Sequence, residues 1–156
     1  MTSIALDRPK GVFLHAVSIR AEDIDHMGHV NNAVYLRWVQ DAVVDYWTSV
    51  APEGAVAAHL WVATRHEISY LRPALLGDTV VARVVTRSIR GARVFFDTVF
   101  ERGVDVVASV TSTWCCLDSS TLRPSRLAID VADRFLPVRV SDGFSREIDR
   151  RRAIGA

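Results

Sequence analysis

Between residues 20 and 35 the chain concentrates groups that can do chemistry: Asp23, Asp25, His26, Gly28, His29, Asn31, Asn32 and Tyr35. A loop carboxylate can activate water or attack an electrophilic carbonyl directly. The start of a helix can meet the charge that then develops, because its unpaired N–H groups carry a partial positive charge. The run AVYLRWVQDAVVDYWTSV (33–50) begins directly after Asn32, so the Gly28–Asn32 amides stand at such a start. Gly28 lets the backbone approach a ligand with no Cβ in the way. Asp25, three residues upstream, can reach the same carbonyl carbon. These pieces suit attack on an activated carbonyl, with the helix-start amides meeting the oxyanion that forms.

Each residue also has an ordinary structural role. Asp25 can serve a turn, Asp23 can be solvated or capping, and Asn31 or Asn32 can cap the helix. His29 can orient the loop or donate a hydrogen bond. His26 and His29 beside Asp23 and Asp25 raise a metal reading. All four crowd one loop, however, and the other histidines, His15, His59 and His66, supply no ligand spacing, so no metal is expected. Cys115 and Cys116 are adjacent in a strand pattern and face opposite sides, which fits packing better than nucleophilic work.

No Gly-x-Ser-x-Gly elbow occurs, which excludes an α/β-hydrolase route. A Gly-rich phosphate loop and a dinucleotide fingerprint are absent too, and no cofactor is expected. Phosphates of a substrate would need arginines. Arg72 precedes Pro73, and Arg87, Arg90 and Arg93 surround the Gly91 turn; all four can make charge-assisted bonds or be solvated surface charges.

The elements that position these groups follow from periodicity. GVFLHAVSIR (11–20) reads as a short strand. In the 33–50 run, Val34, Trp38, Ala42 and Tyr46 recur every fourth residue, and Tyr35, Leu36, Val39, Val43, Val44 and Trp47 widen the apolar face, predicting a largely buried helix. Pro52-Glu53-Gly54 ends it. Four runs rich in Val, Thr, Phe and Trp then follow between Leu60 and Leu117, separated by Arg72-Pro73, Gly77, Gly91 and Gly103. Short successive connections predict an antiparallel meander. A further helix is expected near Ile129–Leu136, before a tail containing Arg150-Arg151-Arg152.

One helix apolar nearly all round needs a sheet to wrap it, which predicts an α+β fold with a curved antiparallel sheet around a long central helix. The exposed sheet edge would be covered by a second copy, predicting a homodimer. At 156 residues, 49% hydrophobic, the chain suits one domain, with its core at about 11–125 and an extension at about 126–156. A balance of 19 basic against 18 acidic side chains argues against nucleic acid as a partner. No apolar run suggests a membrane span, and the N-terminus lacks the apolar core of a signal peptide, so a cytoplasmic protein is expected.

The stretch from Arg20 to Tyr35, with Asp25, Gly28, His29, Val30, Asn31, Asn32 and Tyr35, resembles the hotdog-fold acyl-CoA thioesterases. It is most similar to the branch containing 4-hydroxybenzoyl-CoA thioesterase. Ile68-Ser69-Tyr70-Leu71-Arg72-Pro73 and Leu76-Gly77-Asp78 extend the similarity, which covers about residues 11–125. The resemblance implies a hotdog dimer, or a tetramer of two dimers, with sites at the subunit interface and acyl-CoA as substrate. It implies Asp25 as the catalytic carboxylate, with Gly28, His29, Asn31 and Asn32 around it. Tyr35, Arg72, Arg87, Arg90 and Arg93 are the expected substrate contacts. The same fold also serves hydratases or dehydratases, and a non-catalytic acyl-CoA sensor is a third reading.

Overall fold

A computed structural model describes residues 9–137; the expected Arg150–Arg152 tail lies outside them. The strands are β1 (Val12–Ala16), β2 (His59–Tyr70), β3 (Val81–Arg90), β4 (Arg93–Arg102) and β5 (Asp105–Asp118). They form one antiparallel sheet in the order β1-β3-β4-β5-β2. Alternation drives the burial: Val94, Phe96, Thr98 and Phe100 of β4 point inward while their neighbours are only partly covered. Tight turns join β3 to β4 and β4 to β5, with Gly91 and Gly103 at φ of 61° and 60°, a region that favours glycine.

The expected meander holds for β3-β4-β5 and fails for β2. That strand pairs with β5 at the far edge, from His59 opposite Asp118 to Tyr70 opposite Ala108. Residues 71–80 therefore cross the end of the sheet to reach β3. Three strand spacings amount to about 14 Å, which a link of that length spans easily. Local signals reveal a strand and its turn but not which neighbour a long link selects.

Helix α1 (Val34–Val50) lies across the sheet, and Tyr35, Trp38, Val39, Ala42, Val43, Tyr46 and Trp47 form its buried stripe. Tyr46 stacks on Phe13 of β1 at 5.0 Å, and Trp38 meets Phe100 of β4 at 5.7 Å. Its other apolar residues are less covered than a helix apolar all round would suggest. Leu36 and Val44 remain exposed, and Val44 shares a surface groove with the exposed Leu60 and Val62 of β2.

Two elements differ from expectation. Pro52 does not simply end the helical region: it precedes a second helix, α2 (Glu53–Ala58), whose Gly54 is tolerated among alanines. The helix expected at 129–136 shortens to α3 (Ile129–Ala132). Core packing nevertheless continues past residue 125, because Phe135 stacks on Trp47 at 5.4 Å and Val131 is buried.

Candidate active site

The loop before α1 is closed on itself. An antiparallel bridge joins Ile24 to Val30, and the Asp25 N–H donates to the His29 carbonyl at 2.8 Å. Within it the Gly28 N–H donates to the Asp25 carbonyl at 3.0 Å, and the Met27 N–H donates to Asp25 Oδ1 at 2.9 Å. Gly28 has φ of 79°, and an added Cβ would meet nothing within 4 Å. Backbone conformation, rather than space, therefore demands glycine here.

Neighbouring segments hold the loop in place. The Val30 N–H donates to the Ala74 carbonyl and the Asn31 N–H to the Asp23 carbonyl, both at 2.8 Å. Asn31 Oδ1 accepts from the Ala33 N–H at 2.9 Å in a turn just ahead of α1, whose N-cap position is Ala33 and carries no side-chain cap, so the capping role expected of Asn31 or Asn32 is not made. Asp23 is only 1% exposed, so the solvated role expected for it does not hold. Its Oδ2 accepts the Arg20 N–H, which closes a single 3-10 turn (Ala21–Asp23), while Oδ1 accepts from Arg37 Nη2 at 2.7 Å. Burial alone would raise this carboxyl, but the Arg20 N–H and the Arg37 guanidinium outweigh it and hold the pKa below the usual value.

Asp25, His29, Asn32, Tyr35 and Arg72 come together around one open cleft of about 220 Å³. Tyr70 also lines it, and its hydroxyl donates to the Asn32 carbonyl at 2.9 Å. Tyr35 is buried beneath, edge-on to Tyr70 at 5.3 Å, and burial raises its phenol so that it stays protonated. The expectation of Gly28–Asn32 amides as oxyanion donors narrows here. Gly28, Val30 and Asn31 have committed their N–H groups, whereas those of His29 and Asn32 make no hydrogen bond among the described residues.

The cleft's second wall comes from the link after β2. Arg72 pairs with Asp105, and Arg102 donates to Asp78 Oδ2 at 2.7 Å and to the Pro73 carbonyl at 3.0 Å. Tyr70, Asp78, Arg102 and Asp105 carry no motif beyond the similar segment around residues 68–78, so sequence reasoning gave them no role. The hydrogen bond from Arg102, then the Leu75 N–H, hold the Asp78 carboxyl below its ordinary value of 3.8. A depressed folded pKa contributes stability that is present above that ordinary value and lost as the pH falls through the folded one. Urea denaturation of wild type and Asp78→Asn should therefore show a stability gap at neutral pH that closes in acid.

Arg87, Arg90 and Arg93 lie elsewhere in the same copy. Arg87 and Arg90 each stand 5.9 Å from the Phe95 ring, at the hairpin end of β3 and β4. Arg102 marks the opposite end of β4, roughly 30 Å away along the strand. Cys116 is buried, with its thiol pushed up to about 12, and Cys115 is partly covered; both are free, as packing residues should be. No three or more His, Cys, Asp or Glu side chains converge as a metal site among the described residues.

The sequence profile of the thioesterase-like superfamily matches residues 19–135, most of the chain. The chain belongs to that superfamily. Among its relatives, the long-chain acyl-CoA thioesterase FadM of Escherichia coli K12 is 26% identical over 122 residues, covering 76% of this chain and 92% of FadM. A thioesterase from Thermus thermophilus, solved as a complex with coenzyme A and Zn, is 29% identical with a TM-score of 0.69, covering 81% of this chain and 98% of that one. A 1,4-dihydroxy-2-naphthoyl-CoA thioesterase from Synechocystis shares the fold at 15% identity and a TM-score of 0.65, over 76% of this chain and 90% of its own. The curved antiparallel sheet around α1 is thus the hotdog arrangement of the superfamily, as the resemblance implied.

Proposed function

We propose that this chain, a thioesterase by family, hydrolyses acyl-CoA thioesters to free acid and CoA through Asp25. One observation carries the reading: Asp25 lines one open cleft at the start of α1 together with His29 and Asn32, the two residues of the loop's end whose backbone N–H groups are uncommitted among the described residues. The His29 and Asn32 N–H groups receive the thioester oxygen as it becomes an oxyanion. Asp25 Oδ1 is held by the Met27 N–H, which leaves Oδ2 for chemistry. As general base, Asp25 takes a proton from the water that attacks the carbonyl. As nucleophile, it forms an acyl anhydride that water then opens. In both routes the C–S bond breaks, the thiolate leaves, and one water is consumed.

Assembly belongs to the same reading. The outer edge of β2 has no strand beside it among the described residues, and Val44, Leu60 and Val62 are exposed along it. A second copy pairing antiparallel along β2 covers both the edge and these side chains. Such pairing sets the Arg93 end of one copy toward the Tyr70 end of the other. Arg87, Arg90 and Arg93 of the second copy then join Arg72 as phosphate contacts, in a dimer or a tetramer of two dimers. A cytoplasmic location fits the free thiols of Cys115 and Cys116. No helix among the described residues is long and apolar enough to cross a membrane.

Thiol release from a panel of aliphatic and aromatic acyl-CoAs, with an acyl carrier protein thioester alongside, tests this function. Release from CoA thioesters is the expected result. Hydration of an enoyl-CoA without thiol release, or tight binding without turnover, would overturn it.

A further inference from the structure

The chemistry above gives Asp23 and Arg37 no part, yet both are built into the base of the loop. We infer that the Asp23–Arg37 ion pair is a positioning device that fixes Asp25 relative to the His29 and Asn32 amides; this rests on the hydrolysis reading. Asp23 joins three segments at once. Its Oδ2 takes the Arg20 N–H, its Oδ1 takes Arg37 Nη2, and its main-chain carbonyl takes the Asn31 N–H. Asp25 follows two residues later, and the Asn32 amide directly follows Asn31. Among the described residues, the only hydrogen bond of the Asp25 side chain is to Met27 inside the same loop, so it does not itself tie the loop to α1. Arg37 lies one turn into α1, and its bond to Asp23 is the side-chain link between that helix and the chain segment leading into the loop.

Stability alone is a poor account of such a pair. The Asp23 carboxylate is 1% exposed and the Arg37 side chain 37%, and apolar residues of similar volume in place of a largely buried pair are often as stable or more so. Arg37 Nε is moreover buried with no hydrogen bond among the described residues, a further cost. What an apolar pair lacks is direction: two carboxylate oxygens aimed at two donors leave the loop one orientation. Misplacing a reacting group by about 1 Å can cost 10²-fold in rate, so the direction matters to turnover.

The test compares kcat, KM and melting temperature for wild type, Asp23→Asn, Asp23→Glu, Arg37→Lys and the apolar double variant Asp23→Leu with Arg37→Met. Glutamate keeps the charge but lengthens the tie by one methylene. Expected are kcat losses of roughly 10–100-fold for Asp23→Asn and Asp23→Glu, with KM within about threefold. Arg37→Lys, which keeps a donor, should lose less than either Asp23 variant. The double variant should fold like wild type and still turn over slowly, which keeps the test decisive if a single variant does not fold. Full kcat in the folded double variant, or losses in melting temperature alone, would overturn the inference and leave the hydrolysis reading intact. Absence of wild-type turnover would overturn both.

Discussion

Asp25→Asn should fold as wild type does and lose roughly 10²–10⁴ in kcat. The amide keeps an oxygen where Oδ1 accepts the Met27 N–H, so the turn from Asp25 to His29 loses no bond. What disappears is the negative charge, and with it both the base and the nucleophile. On the proposed reading the thioester would still meet the His29 and Asn32 N–H groups, so KM should move far less than kcat. Steady-state thiol release, paired with a melting curve, checks both halves. Near wild-type turnover would remove Asp25 from the reaction and turn attention to Asp41, on the exposed side of α1, or to Asp23.

Breaking the β2 edge should have the second-largest effect. Val44→Asp with Val62→Asp places charges on two exposed apolar positions, one on α1 and one on β2. Neither side chain is buried in a single copy, so the fold should survive. Across a two-fold interface each charge would meet apolar surface or its own copy, which opposes association. The variant should sediment as a monomer and lose roughly 10²-fold in kcat/KM, because in the proposed assembly Arg87, Arg90 and Arg93 of the second copy would no longer reach the phosphates. A wild-type protein that is monomeric at micromolar concentration, or a monomeric variant of full activity, would contradict the interface-built site.

Much of this was legible in the residues because the signals are local. The four-residue spacing of Val34, Trp38, Ala42 and Tyr46 marks α1, and glycines at 91 and 103 mark tight turns. The Asp25-to-Tyr35 segment resembles a family whose fold then follows. What stayed hidden depends on long-range partners. The strand beside β2 was set by residues 71–80 crossing the sheet end, which no propensity encodes. Asp23 and Asp25 are the same residue type two positions apart. One is buried against Arg37, fourteen residues on, and the other faces the cleft, a difference that only tertiary packing creates. The amides were equally ambiguous, because Ala74 and Asp23 decide which of them remain free. Tyr70 belongs to the site through its hydroxyl on the Asn32 carbonyl, a contact between residues 38 apart in the chain.

Stoichiometry on one acyl-CoA tests the central claim most directly, with wild type and Asp25→Asn run side by side and both free thiol and free acid quantified. The expected result is one acid formed for each thiol released by wild type, and almost none of either from the variant. Change in the acyl chain without thiol release, or equal rates from the two proteins, would contradict Asp25-dependent thioester hydrolysis.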